Sequence, residues 1–161
     1  MLRALDLALL RLLRTRWHAP ALEVALTRLT RIGEHGLGWC ALAAAGASLD
    51  GRRRPTWLHG LRAVPSAYAV NQLVKAAVRR RRPRLAGLPP LVRTRSELSY
   101  PSAHASTSFA AAGALSPVLP VVPLYAAATL MALTRPYLGV HHPSDVLAGA
   151  ALGAAVARLA P

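Results

Sequence analysis

With 161 residues, the chain has the length of one domain. Hydrophobic residues make up 53% of it and charged residues 16%, against about 45–50% and about 25% in ordinary soluble domains. The net charge of +14 first suggests a nucleic-acid partner, but the apolar runs are too long for a small basic DNA binder. Together they point to a protein in contact with anionic lipid. Nineteen of the 20 basic residues are Arg, Lys75 being the exception, and the single Cys40 excludes an intrachain disulfide and a cysteine-based metal site.

In chain order, residues 2–16 predict an amphipathic helix. Leu2, Leu5, Leu9, Leu12 and Leu13 share one face, and Arg3, Arg11 and Arg14 lie opposite, with Leu7 out of pattern among them. Such a helix lies in a membrane interface rather than crossing it. Arg11, Arg14 and Arg16 interrupt any signal-peptide core. A short helix follows over about residues 20–32, so that 1–33 forms an amphipathic N-terminal segment.

Apolar segments then run over roughly 37–49, 57–78, 104–116, 121–134 and 144–160. Cys40 falls in the first and is expected to be an inert, buried residue. The loop 50–55 is charged, and Pro117, Pro120 and Pro123 are expected to break the uncharged stretch from Leu98 to Thr134. Segments 57–78 and 144–160 approach the ~20 residues needed to cross a bilayer. Gly149 and Gly153 form a GxxxG that permits close helix contact. The pattern predicts an all-α, membrane-embedded bundle of five to six helices in one domain, 1–161.

Three motifs stand at helix ends. The first is Lys75, six residues, then Arg82-Pro83; the second is Pro101-Ser102-Ala103-His104; the third is Thr134-Arg135, five residues, His141, three residues, Asp145. Up-and-down helices put all three at one end of the bundle. In order and internal spacing they resemble the K-x6-RP, PSGH and SR-x5-H-x3-D motifs of the type 2 phosphatidic acid phosphatase superfamily. They bracket about 71 residues, with Ala103 where that family has Gly and Thr134 where it has Ser. The resemblance implies a phosphatase.

The residue types suit that chemistry. Phosphoryl transfer spreads charge over three equatorial oxygens, and Lys75, Arg82 and Arg135 supply three cations for them. Ser102 offers a hydroxyl, and the helix start at Ala103 offers backbone N–H groups. His141 is the expected nucleophile, forming a phosphohistidine. Asp145, one helical turn on, would orient it. His104 would protonate the leaving group and then activate water. The scheme requires no metal or other cofactor. Asp145 is the only acid after Glu97, and a lone carboxylate in an apolar segment is costly unless paired. Arg79, Arg80, Arg81 and Arg84 read as a solvated or lipid-facing patch, His18, His35 and His59 as structural, and His142 as off the catalytic face.

The expected substrate is a lipid phosphate in a bacterial cell membrane. Within the family, small Arg- and Ala-rich members are similar to the decaprenylphosphoryl-phosphoribose phosphatases of mycobacterial-type cell-wall synthesis. Undecaprenyl diphosphate or phosphatidate are the alternative substrates, and a non-catalytic lipid-binding relative is the alternative class. The family also resembles vanadium haloperoxidases, but a short apolar chain favours lipid. Fourteen arginines fall at or beside the motif end and five at the other, so the excess of positive charge predicts a cytoplasmic active site.

Overall fold

The apolar runs and their proline and glycine breaks become seven α-helices in a computed structural model that describes residues 2–160. Met1, Pro161 and the side chain of Leu2 lie outside the described residues. The helices are α1 (Leu2–Arg16), α2 (Pro20–Ile32), α3 (Leu37–Leu49), α4 (Arg54–Val78), α5 (Ala103–Leu115), α6 (Val121–Tyr137) and α7 (Pro143–Leu159). Among the described residues there is no strand, only isolated bridges in the long α4–α5 loop. The all-α class is as expected. The count exceeds five to six because both halves of the N-terminal segment and all five apolar segments form separate helices.

Helix ends explain the boundaries. Pro20 and Pro55 stand in the first turns of α2 and α4, where a missing N–H costs nothing. Pro123 likewise sits in the first turn of α6, so it does not break the chain as Pro117 and Pro120 do. At the end of α4, Arg79 adopts left-handed backbone (φ 53°) and donates its N–H to the Lys75 carbonyl at 3.0 Å. That turn redirects the basic run. Helix α6 continues past Arg135, and α7 starts only at Pro143, which leaves His141 and His142 in the turn between them.

Helix α5 is central and is buried on nearly every side through Ala, Ser and Thr. It packs against α4, α6 and α7. The GxxxG of α7 faces it: a Cβ at Gly149 would overlap the Ser102 carbonyl, and one at Gly153 the Ser106 carbonyl. Trp57, Leu115 and Leu124 close the opposite end of the bundle. Helix α3 is peripheral and buries only Ala43 completely, so Cys40 is partly exposed rather than buried.

No helix among the described residues is long and apolar enough to cross a membrane. Helix α4 has 25 residues but carries Arg54, Arg62 and Lys75, and α7 has 17. The outer surface is nonetheless rich in large apolar side chains, including Leu73, Val122, Leu130 and Leu147. Helix α1 follows the same rule. Its leucine row points outward, with Leu5 56% and Leu9 41% exposed, while Asp6 (3%), Leu10 and Arg14 (5%) face the protein. Arg14, expected on an outer basic face, is therefore buried, and the half-buried Leu7 belongs to the docked side.

Gly153→Ala should destabilise the fold by about 1–3 kcal/mol, because the atom it strikes is backbone and cannot rotate away. The gain in helix propensity, at most ~1 kcal/mol, does not offset this. The measurement is apparent Tm in detergent, expected to fall by several degrees.

Candidate active site

The α4–α5 loop, the α6–α7 turn and α2 enclose a cavity of about 580 Å³. Lys75, Arg82, Ala103, His104, Arg135 and His141 all line it. Ser102 and Asp145 do not reach its wall, because both are completely buried behind it.

Each cation is held by neutral oxygen. Lys75 Nζ donates to the Pro101 carbonyl at 3.1 Å. Arg82 Nε donates to the Ser96 carbonyl at 2.8 Å, and its terminal nitrogen donates to the Val140 carbonyl at 2.7 Å. Arg135 donates to the Thr30 hydroxyl at 2.6 Å. Among the described residues none of the three forms a salt bridge. Lys75 and Arg135 are buried, which makes an unpaired charge costly. Thr134 turns its hydroxyl to Met131 and Thr30, away from the cavity.

The turn before His141 depends on Gly139, whose φ of +75° favours glycine and whose Cβ would overlap the Arg14 guanidinium. His141 Nε2 lies 3.1 Å from the Arg82 guanidinium, which can only donate. That nitrogen therefore carries the lone pair, and Nδ1 the proton. Complete burial pushes His141 well below the usual histidine range; Asp145 opposes this, and Arg135, Arg82 and Lys75 reinforce it. The result is a neutral imidazole beside three positive charges.

Asp145 does not reach His141 across a turn of helix, as the spacing suggested, since His141 precedes α7. Its Oδ2 lies 3.6 Å from His141 Nδ1, beyond hydrogen-bond distance, and Nδ1 has no hydrogen-bond partner among the described residues. The same oxygen accepts from the His142 backbone N–H at 2.8 Å and lies 3.1 Å from His142 Nδ1. His142 was expected to stand apart because adjacent helical residues diverge. Neither histidine is in the helix, so both meet the carboxylate. The other oxygen, Oδ1, accepts from Arg80 at 2.8 Å, so Arg80 is not a surface charge as its run suggested.

His104 Nε2 lies 2.9 Å from the Thr30 carbonyl, so Nε2 holds a proton and Nδ1 is the nitrogen left for proton exchange. Among the described residues the Ser102 hydroxyl has no hydrogen-bond partner, while its backbone N–H donates to the Asp145 carbonyl at 2.9 Å. Sequence reasoning missed the contribution of α2: Thr30 holds both His104 and Arg135, and no motif marks it. His35, read as structural, lines the cavity and bonds Tyr68 at 2.8 Å. Arg31, Arg93 and Arg95 also line the cavity, with Arg95 Nε 3.6 Å from the Glu34 carboxylate.

The sequence over residues 56–161 matches the model of the PAP2 superfamily, and the chain belongs to that family. It is a phosphoric ester hydrolase. Among individual proteins, it is 42% identical over 147 residues to the decaprenylphosphoryl-5-phosphoribose phosphatase of Mycobacterium tuberculosis, covering 87% of this chain and 79% of that one. The enzyme of the same name from Mycolicibacterium smegmatis is 40% identical over 137 residues, covering 81% and 72%. In structure, the chain is similar to a transmembrane PAP2 type phosphatidylglycerolphosphate phosphatase from Bacillus subtilis, with TM-score 0.78, 26% identity and coverage of 98% and 83%. Aquifex aeolicus LpxE shares the fold at TM-score 0.76 and 22% identity, over 97% of this chain and 94% of that one.

The buried His141 has a consequence for acid stability. Its folded pKa lies below the unfolded value of about 6.5, so the unfolded chain takes up a proton first as pH falls. Its contribution is intact above pH ~6.5 and is lost below it, by up to about 1.4 kcal/mol per pH unit. His141→Gln should flatten the decline of Tm between about pH 6.5 and 5, as measured by thermal unfolding across that range.

Proposed function

We propose that the chain hydrolyses the 5-phosphate of decaprenylphosphoryl-5-phosphoribose or a closely similar polyprenyl lipid, without a metal. The observation that carries the phosphoryl-transfer chemistry is the set of three cations, unpaired by carboxylate, around a neutral imidazole lone pair. In this reading, His141 Nε2 attacks phosphorus while Lys75, Arg82 and Arg135 hold the equatorial oxygens. The N–H groups at Ala103, at the start of α5, assist. Burial and Arg135 hold His104 down to about 3, so its Nδ1 rests bare; it takes the proton of a phosphate monoanion as the substrate binds and passes it to the leaving ribose oxygen, and the P–O bond breaks as the P–N bond forms. His104 then takes a proton from water, whose oxygen displaces His141 and releases phosphate. Asp145 stabilises the Nδ1 proton of His141 throughout.

The substrate reading rests on the names of the two mycobacterial relatives. That name describes a lipid with two phosphates on either side of a ribose. The outer arginines Arg31, Arg93 and Arg95 would suit the second.

The outward leucine row of α1 supports a membrane location: a helix that buries Asp and Arg while exposing leucine needs an apolar exterior. Contacts of Asp6 with Ser144 and of Arg14 with Pro89 keep α1 at the motif end. This retains its four arginines in the count that favours a cytoplasmic active site.

Purified protein in detergent should release phosphate from the decaprenyl substrate with a higher kcat/KM than from undecaprenyl diphosphate or phosphatidate. EDTA should have no effect and vanadate should inhibit. His141→Ala should lower kcat by roughly a thousandfold or more and abolish an acid-trapped phosphohistidine, with Asp145→Asn severe but less complete. Near-normal phosphate release by His141→Ala would overturn the mechanism, and loss of activity with EDTA restored by Mg²⁺ would overturn metal independence.

Sidedness has a separate test. A single Cys placed in the 86–96 loop of a Cys40→Ser background should resist an impermeant maleimide in intact cells. Ready labelling from outside would reverse the orientation and leave the chemistry standing.

A further inference from the structure

Arg80 lies outside the three motifs, yet it connects two buried carboxylates from opposite ends of the chain. One terminal nitrogen donates to Asp145 Oδ1 at 2.8 Å and to the Ser144 hydroxyl at 2.7 Å. The other donates to Asp6 Oδ2 at 2.8 Å. Asp6 in turn accepts from the Ser144 backbone N–H at 2.9 Å and from the Ser144 hydroxyl at 2.6 Å. Asp6 is 3% exposed and Asp145 fully buried.

We propose that Arg80 and Asp6 are positioning residues for Asp145, so that helix α1 completes the catalytic centre. Asp145 has two oxygens with different duties. Oδ2 faces the two histidines, and Oδ1 faces Arg80. With Oδ1 held by the guanidinium and Oδ2 by the His142 backbone N–H, the carboxylate keeps Oδ2 turned toward His141. Asp6 fixes the guanidinium from behind and ties the first turn of α7, through Ser144, to the same point. Arg14, two turns along the same face of α1, donates to the Pro89 carbonyl at 2.8 Å and packs against Gly139. Helix α1 thus lies across the catalytic turn, gripping it before His141 and after it.

The charges favour this role. Two buried carboxylates set on either side of Arg80 would repel each other without a cation between them. Arg80 supplies that cation, and its rigid planar fork aims one terminal nitrogen at each carboxylate, where a lysine offers a single flexible point charge.

The inference rests on the reading of His141 as nucleophile and Asp145 as its partner, and the test separates the two. Full-length enzyme in detergent is assayed with the decaprenyl substrate as Arg80→Gln, Arg80→Lys and Asp6→Asn, each alone and with Asp145→Asn. Arg80→Gln and Asp6→Asn should lower kcat at least tenfold with KM changed less than twofold, and Arg80→Lys should recover part of the loss. In the Asp145→Asn background the same changes should have almost no further effect, because the residue they act through is already disabled. A merely structural role would instead multiply the losses or raise KM and lower kcat together. Such additivity, or a kcat within twofold of wild type for both Arg80→Gln and Asp6→Asn, would overturn the proposal. If Arg80→Gln does not fold, Asp6→Asn and Arg80→Lys decide by the same criteria. Retained activity in His141→Ala would show that the underlying mechanism, not the positioning, is at fault.

Discussion

Three like charges, on Lys75, Arg82 and Arg135, are held around one cavity by neutral groups rather than by carboxylates. Carbonyls of Pro101, Ser96 and Val140 and the Thr30 hydroxyl keep them in place. Much of the surrounding structure serves this constraint. The carbonyls must come from non-helical chain, since helical carbonyls are already bonded. The α4–α5 loop, with Ser96 and Pro101, and the turn before α7, with Val140, provide them. Such a cluster is unfavourable by itself, and it becomes favourable when an anion with several oxygens enters. The adjacent imidazole is kept neutral by burial and by the same charges, so the field that attracts a phosphate also leaves its nucleophile unprotonated.

Close approach of helices is the second requirement. Helix α5 carries His104 at its start and is enclosed by α4, α6 and α7. With Gly149 and Gly153 set against the carbonyls of Ser102 and Ser106, α7 comes near enough for Ser102 to reach the Asp145 carbonyl. The second and third motifs are thus joined through backbone.

The sequence was informative where chemistry and periodicity coincide. The seven helices follow from apolar runs and proline positions to within a few residues, and six of the eight candidate residues line one cavity. Errors arose where the chain leaves the helix. Spacing of four residues suggested a helical turn from His141 to Asp145, but Pro143 starts α7 too late for that. Periodicity identified the leucine row of α1 without indicating which way it faced. A stronger signal was present in Asp6, the only acid before Glu23. Like Asp145, it is a lone carboxylate among apolar residues, costly unless paired. Thr30 could not have been found, because a hydroxyl and a carbonyl on an ordinary helix carry no pattern.

The grip of α1 on the catalytic turn also has a temporal meaning. Asp6 and Ser144 are 138 residues apart in sequence, so at ribosomal rates the second emerges on the order of ten seconds after the first. Arg80 and Pro89, which meet Asp6 and Arg14, lie 74 and 75 residues on, so α1 gains its first partners about halfway through and Ser144 last. The centre therefore cannot form domain-by-domain along the nascent chain. It closes in one late step, when the last helix arrives and finds the first already waiting.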